Sequence, residues 1–211
     1  NVPIENGIVG GDERIQKSLP TIKYFLGRCS TLLILTHLGR PDGKYVHHLR
    51  TNILLPALRK LIPSKIEKAD SFDSIPQSKV VLLENVRFFP EEENNDEAFA
   101  RKLASLADVY VNDAFGVCHR KHASVHAITK FLPSCAGLLV EKEIEIITKA
   151  MENPRKPYYV IMGGVKLETR IPMIKHFLRK ADKIILGGAM RYTFFKALGY
   201  HTGSCLLQEN M

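Results

Sequence analysis

The architecture of this chain is built around one segment, Asp108-Val-Tyr-Val-Asn-Asp-Ala-Phe-Gly-Val-Cys-His-Arg-Lys-His-Ala-Ser124. Residues 109–111 alternate too little for a half-exposed strand, and we interpret them as a short buried strand. Polar residues and Gly116 then interrupt the apolar run. Ser124 is predicted to be the N-cap of a helix that begins near Val125.

A cationic tip, His119-Arg-Lys-His122, lies between this strand and the predicted helix. In an open parallel sheet, ligands bind at the carboxyl ends of the strands, where the loops face a crevice. A solvated basic loop is the alternative interpretation. The ligand-binding interpretation is favoured because two other predicted strands are also followed by an arginine.

The apolar runs 31–35 and 80–83 are both predicted to be buried parallel strands. Arg40 follows the first run, after His37, and Arg87 follows the second. Three strands therefore each place an arginine just past the carboxyl end, and the planar guanidinium suits phosphate and carboxylate. The sequence predicts an anion site at this edge of the sheet.

Composition limits the possible functions. The chain has 211 residues, of which 45% are hydrophobic, and a net charge of +8. The charge favours an anionic partner, either a phosphorylated metabolite or nucleic acid. Four scattered cysteines predict reduced thiols in a cytosolic protein. The chain begins at Asn1 and not at Met, and we expect a fragment cut at both ends.

Other local patterns complete the first half. A helix is predicted after Gly10-Gly-Asp12, and Arg14 lies in its first turn. Residues 65–77 are polar, and we expect an irregular surface connection there. Residues 94–97 have the spacing of a capping box, and Glu91-Glu-Glu93 is interpreted as solvated charge.

The second half repeats a strand, a glycine pair and a helix. The predicted buried strands 158–162 and 183–186 are each followed by two glycines, Gly163-Gly164 and Gly187-Gly188. Glycine allows a ligand to approach the backbone, and helix N-termini favour phosphate. Two consecutive copies indicate a nucleotide-binding platform. A helical pattern over 141–151 precedes them.

Several motifs together resemble the phosphoglycerate kinase family: 36–41 (THLGRP), 82–88 (LLENVRF) and 109–116 (VYVNDAFG) followed by His-Arg-Lys-His. The similarity extends across the whole chain. It implies an α/β, two-domain fold with Rossmann-like parallel sheets in three α/β/α layers. The implied domains are a 3-phosphoglycerate-binding domain over 1–139 without its first strand, an interdomain helix over 140–153, and a truncated start of the nucleotide domain over 154–211.

The resemblance implies reversible phosphoryl transfer between 1,3-bisphosphoglycerate and ADP, giving 3-phosphoglycerate and ATP in glycolysis. Mg²⁺ would come with the nucleotide, and this chain would supply no metal ligand. The resemblance further implies a cytoplasmic, hinge-bending monomer with neither nucleic acid nor membrane as partner.

The family's functional residues can be carried onto matching positions of this chain. The implied substrate-binding residues are Asn1, Arg14, His37, Arg40, Arg87, His119 and Arg120. The implied nucleotide-binding residues are Gly163, Gly164, Lys166, Arg170, Gly187 and Gly188. The implied catalytic residues are Arg14, Lys166 and Arg170.

The chain departs from the family pattern in three places. Thr169 and Arg170 stand where the family has aspartate and a second lysine, and Ala189 replaces a glycine. The first strand and the rest of the nucleotide domain, with its metal-coordinating aspartate, are missing. We therefore expect this chain alone to be inactive, and an inactive remnant that acts as a binding module is an alternative.

Two other classes of function are alternatives for this sequence. Nucleic-acid binding fits the net charge, but the arginines follow strands rather than lining one helix, and no RNP, zinc-finger or helix-turn-helix signature is present. A metal site could draw on Cys118, His119, His122 and His126, but Arg120 and Lys121 would repel a cation. Solvated or phosphate-facing histidines fit the pattern better.

Overall fold

A computed structural model describes residues 2–5, 8–164 and 167–207 of the chain. The chain divides into two compact units, Asn1–Ile144 (unit 1) and Glu145–Met211 (unit 2). This division lies inside the predicted interdomain segment 140–153. None of the helices in the described residues has the length and apolar character needed to cross a membrane.

The described residues form nine strands and seven α-helices, joined by short 3-10 turns. In chain order they are β1 (Ile4–Glu5), β2 (Ile8–Val9), α1 (Glu13–Leu26), β3 (Leu32–Ile34), α2 (Leu55–Leu61), β4 (Ile66–Lys68), β5 (Val80–Leu82), α3 (Pro90–Glu93), α4 (Glu97–Ala104), β6 (Tyr110–Asn112), β7 (Ser134–Ala136), α5 (Leu138–Glu152), β8 (Tyr159–Met162), α6 (Ile171–Phe177), β9 (Lys183–Leu186) and α7 (Met190–Ala197).

The main sheet of unit 1 has the strand order β3-β5-β4, and all three strands are parallel. The prediction of an irregular connection over 65–77 was wrong, because β4 lies within it. Only Ile66 of β4 is fully buried, and Glu67 and Lys68 flank it. A three-residue strand with two charged residues contains no apolar run from which it could be predicted. It forms by pairing with β5, the next strand along the chain.

Alternate side chains of β5 enter two separate hydrophobic cores. Val80 and Leu82 pack with α1 and α2, whereas Val81 and Leu83 pack with α4. Successive side chains of a strand point to opposite faces, so helices cover both faces of this sheet. The predicted α/β fold with helical layers on both sides of a parallel sheet is confirmed in unit 1.

The segment that contains β6 differs from its prediction. β6 is half-buried rather than buried, and it pairs in parallel with β7. Ser124 is not an N-cap: its hydroxyl donates a hydrogen bond to Glu92, and the following helix is a single 3-10 turn, Ala127–Lys130. The arginine-bearing loop after β6 nevertheless follows a strand end, as predicted.

The acidic run before α4 also differs from its prediction. Glu92 is buried, although we expected solvated charge, because it accepts hydrogen bonds from Ser124. The N-cap of α4 is Asp96, whose carboxylate accepts from Phe99 N at 2.7 Å. The capping box predicted at 94–97 was therefore wrong, since the cap lies two residues later.

The Asp96 cap leads to a prediction about stability. Asp96→Ala is expected to lower the free energy of unfolding by about 1 kcal/mol, because the Phe99 N–H loses its acceptor at a helix N-terminus. Denaturant unfolding checks this value. Asn94→Ala is the matched control, since this exposed side chain does not cap the helix. An equal loss in both variants would contradict the assignment of Asp96 as the cap.

The helix α5 begins three residues before the predicted pattern. Leu138 N donates to Thr21 Oγ1 at 3.0 Å, and Leu139 N donates to Asp113 Oδ1 at 2.9 Å. These acceptors satisfy two N–H groups of the first turn. Gly137 is required just before the helix, because a Cβ there would collide with the Asp113 carboxylate.

Unit 2 contains a parallel pair, β8 and β9, with α6 and α7. Both strands were predicted to be buried, and this was wrong: among their residues only Met162 is buried, and the others are half-buried or exposed. Met162 is buried, whereas Ile161 is 76% exposed and its neighbour Ile185 is also exposed. The described residues of unit 2 leave one face of this sheet uncovered.

Candidate functional site

The loop after β3 carries two of the predicted anion-binding side chains. His37 is half-buried and Arg40 is exposed. Gly39 between them has φ +62°, and a Cβ there would lie 2.9 Å from Leu49 Cδ1. The tight turn therefore needs glycine, and it folds the loop back over the end of the sheet.

Arg87 lies in the 3-10 turn Val86–Phe88 directly after β5. It is only 4% exposed, which is unusual for an arginine. One terminal nitrogen donates to Gly39 O at 3.0 Å, so Arg87 holds the loop of His37 and Arg40. Its Nε lies 3.2 Å from Glu93 Oε1, close enough for an ion pair but not aligned as a hydrogen bond.

Glu92 fixes the third loop, which carries His119 and Arg120. The Glu92 carboxylate accepts from Ser124 N at 2.8 Å and from Ser124 Oγ at 2.7 Å, and its backbone oxygen accepts from Ala123 N at 2.8 Å. His119 is exposed, whereas Arg120 Nε is buried and has no hydrogen-bond partner among the described residues.

The charges of these three loops act on one another. Burial above all, and then nearby positive charges that include Arg87 and Arg120, lower the pKa of His37 to about 3. Burial also lowers the pKa of Arg87; Glu93 opposes this effect, and the positive charges of Arg120 and Arg40 add to it. We call His37, Arg40, Arg87 and Arg120 the cationic cluster, in which the three arginines carry the charge and the imidazole of His37 is neutral near pH 7. Each member comes from a loop predicted from the sequence.

The cationic cluster is under electrostatic strain that an anion would relieve. Like charges close together and partly removed from water destabilise one another. Glu93 is paired with Arg87, but its own side chain is 43% exposed, so water screens this negative charge. A bound phosphate or carboxylate would supply the missing negative charge and an acceptor for the buried Arg120 Nε.

Two polar residues beneath the cluster were missed by the sequence analysis. Glu84 and Asn85 follow β5 directly, and both are buried. Oε1 of Glu84 accepts from Thr51 N and from Asn85 N, both at 2.9 Å, and Oε2 accepts from Lys68 Nζ at 2.7 Å and from Arg50 Nε at 3.0 Å. The one available signal was two polar residues directly after a fully apolar strand.

Hydrogen bonds keep Glu84 ionised. Burial alone would raise its pKa, but hydrogen bonds from Lys68, from backbone N–H groups and from Arg50 outweigh burial and hold the pKa below its ordinary value. The pair of polar residues therefore fixes the end of β5 from which the Arg87 turn begins.

Two further binding residues were predicted in unit 1, namely Arg14 and Asn1. Arg14 is exposed in the first turn of α1, where its backbone oxygen accepts from Ser18 Oγ at 3.5 Å. Asn1 lies outside the described residues. The assignment of Arg14 and Asn1 as binding residues rests on the resemblance to the phosphoglycerate kinase family.

In unit 2 the two glycine pairs lie side by side at the ends of β8 and β9. Gly187 N donates to Met162 O at 2.8 Å, and Met190 N donates to Gly164 O at 3.0 Å. Gly164 and Gly188 have φ values of +139° and +64°, which other residues rarely adopt. Both turns therefore depend on backbone conformations that favour glycine.

Two predicted nucleotide-binding residues remain. Arg170 is exposed at the start of α6, and Lys166 lies outside the described residues. Within residues 2–5, 8–164 and 167–207, no group of three or more His, Cys, Asp or Glu side chains could hold a metal ion. Cys118, His119, His122 and His126 are thus not such a group.

Curated relatives cover the whole of this chain. The phosphoglycerate kinase of Fervidobacterium nodosum is 47% identical over 221 residues, and that of Dictyoglomus turgidum is 43% identical over 219 residues. Each alignment takes in 100% of this chain and 55% of the relative. The chain therefore spans about half the length of these curated relatives.

Solved structures give the same result. The phosphoglycerate kinase of Coxiella burnetii has a TM-score of 0.84 at 36% identity, and 99% of this chain matches 55% of that chain. The phosphoglycerate kinase of Pyrococcus horikoshii has a TM-score of 0.79 at 29% identity, with 96% and 54% covered. The family model of phosphoglycerate kinase matches residues 1–211. This chain belongs to the phosphoglycerate kinase family.

Proposed function

We propose that the protein represented by this chain transfers a phosphoryl group reversibly between 1,3-bisphosphoglycerate and ADP, as a phosphotransferase of glycolysis. The observation that carries the proposal is the cationic cluster, in which three strand-end loops bring buried and half-buried positive charge together. A small substrate with two anionic groups, such as the carboxylate and the phosphate of 3-phosphoglycerate, has the charge that this cluster lacks.

The chemistry needs little more from unit 1 than position and charge. Phosphoryl transfer is accelerated mainly by alignment of the reactants and neutralisation of their charge. In our proposal Arg40, Arg87 and Arg120 neutralise the 3-phosphate, and His37 with Asn1 orients the carboxylate and hydroxyl end. Arg14 faces the transferring group. His119 lies beside the substrate.

The proposed nucleotide site lies in unit 2. Gly163-Gly164 and Gly187-Gly188 carry no side chains, which allows phosphates to approach the backbone closely, and Lys166 and Arg170 supply positive charge. Mg²⁺ would arrive with ADP or ATP, as the resemblance to the family implies. There it would neutralise phosphate charge.

The domain assignment is part of the same proposal. Residues 1–139 form the 3-phosphoglycerate domain, 140–153 the interdomain helix, and 154–211 the start of the nucleotide domain. We further propose a cytoplasmic monomer without nucleic-acid or membrane partners. The resemblance to the family supports these assignments.

Titration of the 211-residue chain with 3-phosphoglycerate tests the proposed site. Saturable binding is expected, and Arg40→Ala is expected to weaken it by about tenfold or more because one charge-assisted contact to phosphate is lost. High salt should also weaken binding, since Arg40 is exposed. Calorimetry gives the dissociation constant.

Arg28→Ala is the matched control for this titration. Arg28 is an exposed arginine before β3, at the opposite end of the strand from Arg40, where it donates to Tyr24 O. Its removal should leave the dissociation constant unchanged. No binding by the folded wild-type chain, or equal weakening in both variants, would contradict the proposed site.

A further inference from the structure

We propose that Asn85 is a positioning residue, whose buried side-chain amide ties the backbone of the His37–Arg40 loop to the Arg87 turn so that their side chains face a single anion. The inference rests on the proposed function, because it names a residue that acts on the substrate through others.

The amide of Asn85 joins three segments of chain. Its Nδ2 donates to Leu38 O and to Leu49 O, both at 2.9 Å. Its Oδ1 accepts from Leu38 N at 3.3 Å and from Arg87 N at 3.1 Å. Leu38 lies between His37 and Arg40, so one side chain holds both the loop after β3 and the turn after β5.

The environment of Asn85 fits an amide and not its common substitutes. Both N–H groups donate and the oxygen accepts twice, so the full hydrogen-bonding capacity is used inside a site that is 0% exposed. An aspartate would replace the Nδ2 donor with a second acceptor oxygen, which would face the carbonyl oxygens of Leu38 and Leu49 and could not bond to them. An alanine would leave Leu38 O and Arg87 N buried without this partner.

Other hydrogen bonds also connect the loop after β3 to the turn after β5. Val86 N donates to Thr36 O at 3.2 Å, and Arg87 reaches Gly39 O at 3.0 Å. Glu84 accepts from Asn85 N at 2.9 Å and fixes the residue from the other side. The amide is thus the central member of a connected network, in which loss of one member weakens the others.

A purely structural role is the competing explanation, and it makes a different prediction. A residue that only stabilises the fold would change the unfolding midpoint and leave the folded site as it was. A positioning residue changes the site in molecules that are still folded. The half-buried His37 reports this difference, because burial above all, and Arg87 and Arg120 among several nearby positive charges, lower its pKa.

The experiment compares Asn85→Ala with Leu103→Ala at a temperature where both remain folded. Leu103 is 4% exposed in the core between α4 and the sheet, and it contacts a different hydrophobic cluster from Leu38. The dissociation constant for 3-phosphoglycerate is measured by calorimetry. Protonation of the His37 imidazole is followed by NMR from neutral pH down to about pH 3, so that the range reaches the wild-type pKa.

Asn85→Ala is expected to weaken 3-phosphoglycerate binding by about tenfold or more and to raise the pKa of His37 toward its ordinary value. Leu103→Ala is expected to leave both quantities as in wild type. Unchanged binding and unchanged His37 titration in Asn85→Ala would overturn the proposal, as would the same changes in Leu103→Ala.

A second variant and a measurement without ligand complete the experiment. If Asn85→Ala does not fold, Asn85→Ser replaces it, since the hydroxyl retains one donor and an acceptor. The His37 titration needs no ligand. A wild-type chain that does not bind 3-phosphoglycerate would therefore contradict the proposed function, while the shift in His37 pKa would still decide whether Asn85 positions the loop.

Discussion

Glu84→Gln is expected to lower the free energy of unfolding of unit 1 by about 3–5 kcal/mol, the usual cost of removing one member of a buried ion pair. The carboxylate is 5% exposed and contacts two cations, Lys68 at 2.7 Å and Arg50 at 3.0 Å. Glutamine keeps the shape of the side chain but leaves Lys68, itself largely buried, and Arg50 with the exposed carboxylate of Asp70 as their shared remaining counter-charge.

Glu67→Gln provides the control for this substitution. Glu67 is the neighbouring acidic residue of β4 and is paired with the exposed Lys65. Ion pairs at the surface contribute about 0–1 kcal/mol, so this variant should unfold almost as wild type does. Denaturant unfolding of both variants gives the two values. A loss below about 1 kcal/mol for Glu84→Gln would show that the buried network adds little to stability.

Acid sensitivity gives an independent check on Glu84. Its folded pKa lies below the ordinary value of 4.5, so its contribution to stability is complete above that pH and is lost as the pH falls toward the folded pKa. His37 acts in a higher window: its folded pKa of about 3 lies below 6.5, so the unfolded chain takes up a proton first as the pH falls below 6.5. Glu84→Gln should therefore remove only the loss of stability that occurs below about pH 4.5, and the loss caused by His37 should remain.

The strand-end arginines could be predicted because each signal is local. A run such as 80–83 is continuously apolar, and the residue that follows it identifies the loop. Gly39 and the glycine pairs of unit 2 were visible for the same reason, since the residue type itself dictates the backbone. The fold class follows from the order of such elements.

The errors share a different cause, namely partners far away in the sequence. Glu92 was expected in water because its neighbours Glu91 and Glu93 are charged, yet Ser124 buries it from 32 positions away. β4 forms because β5 lies beside it. Asn85 is separated from Leu38 by 47 residues. Nothing within the local sequence of these residues specifies a contact over such a distance.

Arg87→Met should weaken binding of 3-phosphoglycerate by about 100-fold or more, which makes it the most damaging single change in the proposed site. Removing one member of a buried, hydrogen-bonded charge pair from an interface costs about 2–5 kcal/mol, and about 1.4 kcal/mol corresponds to a tenfold change. Arg87 is also more buried than Arg40, so water cannot replace its contacts. Methionine keeps the apolar length of the side chain and removes the charge.

The same substitution tests the electrostatic interaction between Arg87 and His37. Arg87 supplies one of the positive charges that lower the pKa of His37, so Arg87→Met should raise that pKa from about 3. Arg59→Met is the matched control, because Arg59 likewise donates to a backbone oxygen, that of Ile66, from α2. Calorimetry and NMR titration measure the two effects. If Arg59→Met weakened binding as much as Arg87→Met, or if Arg87→Met left both the affinity and the His37 titration unchanged, then Arg87 would be a structural residue and the anion would have to bind elsewhere.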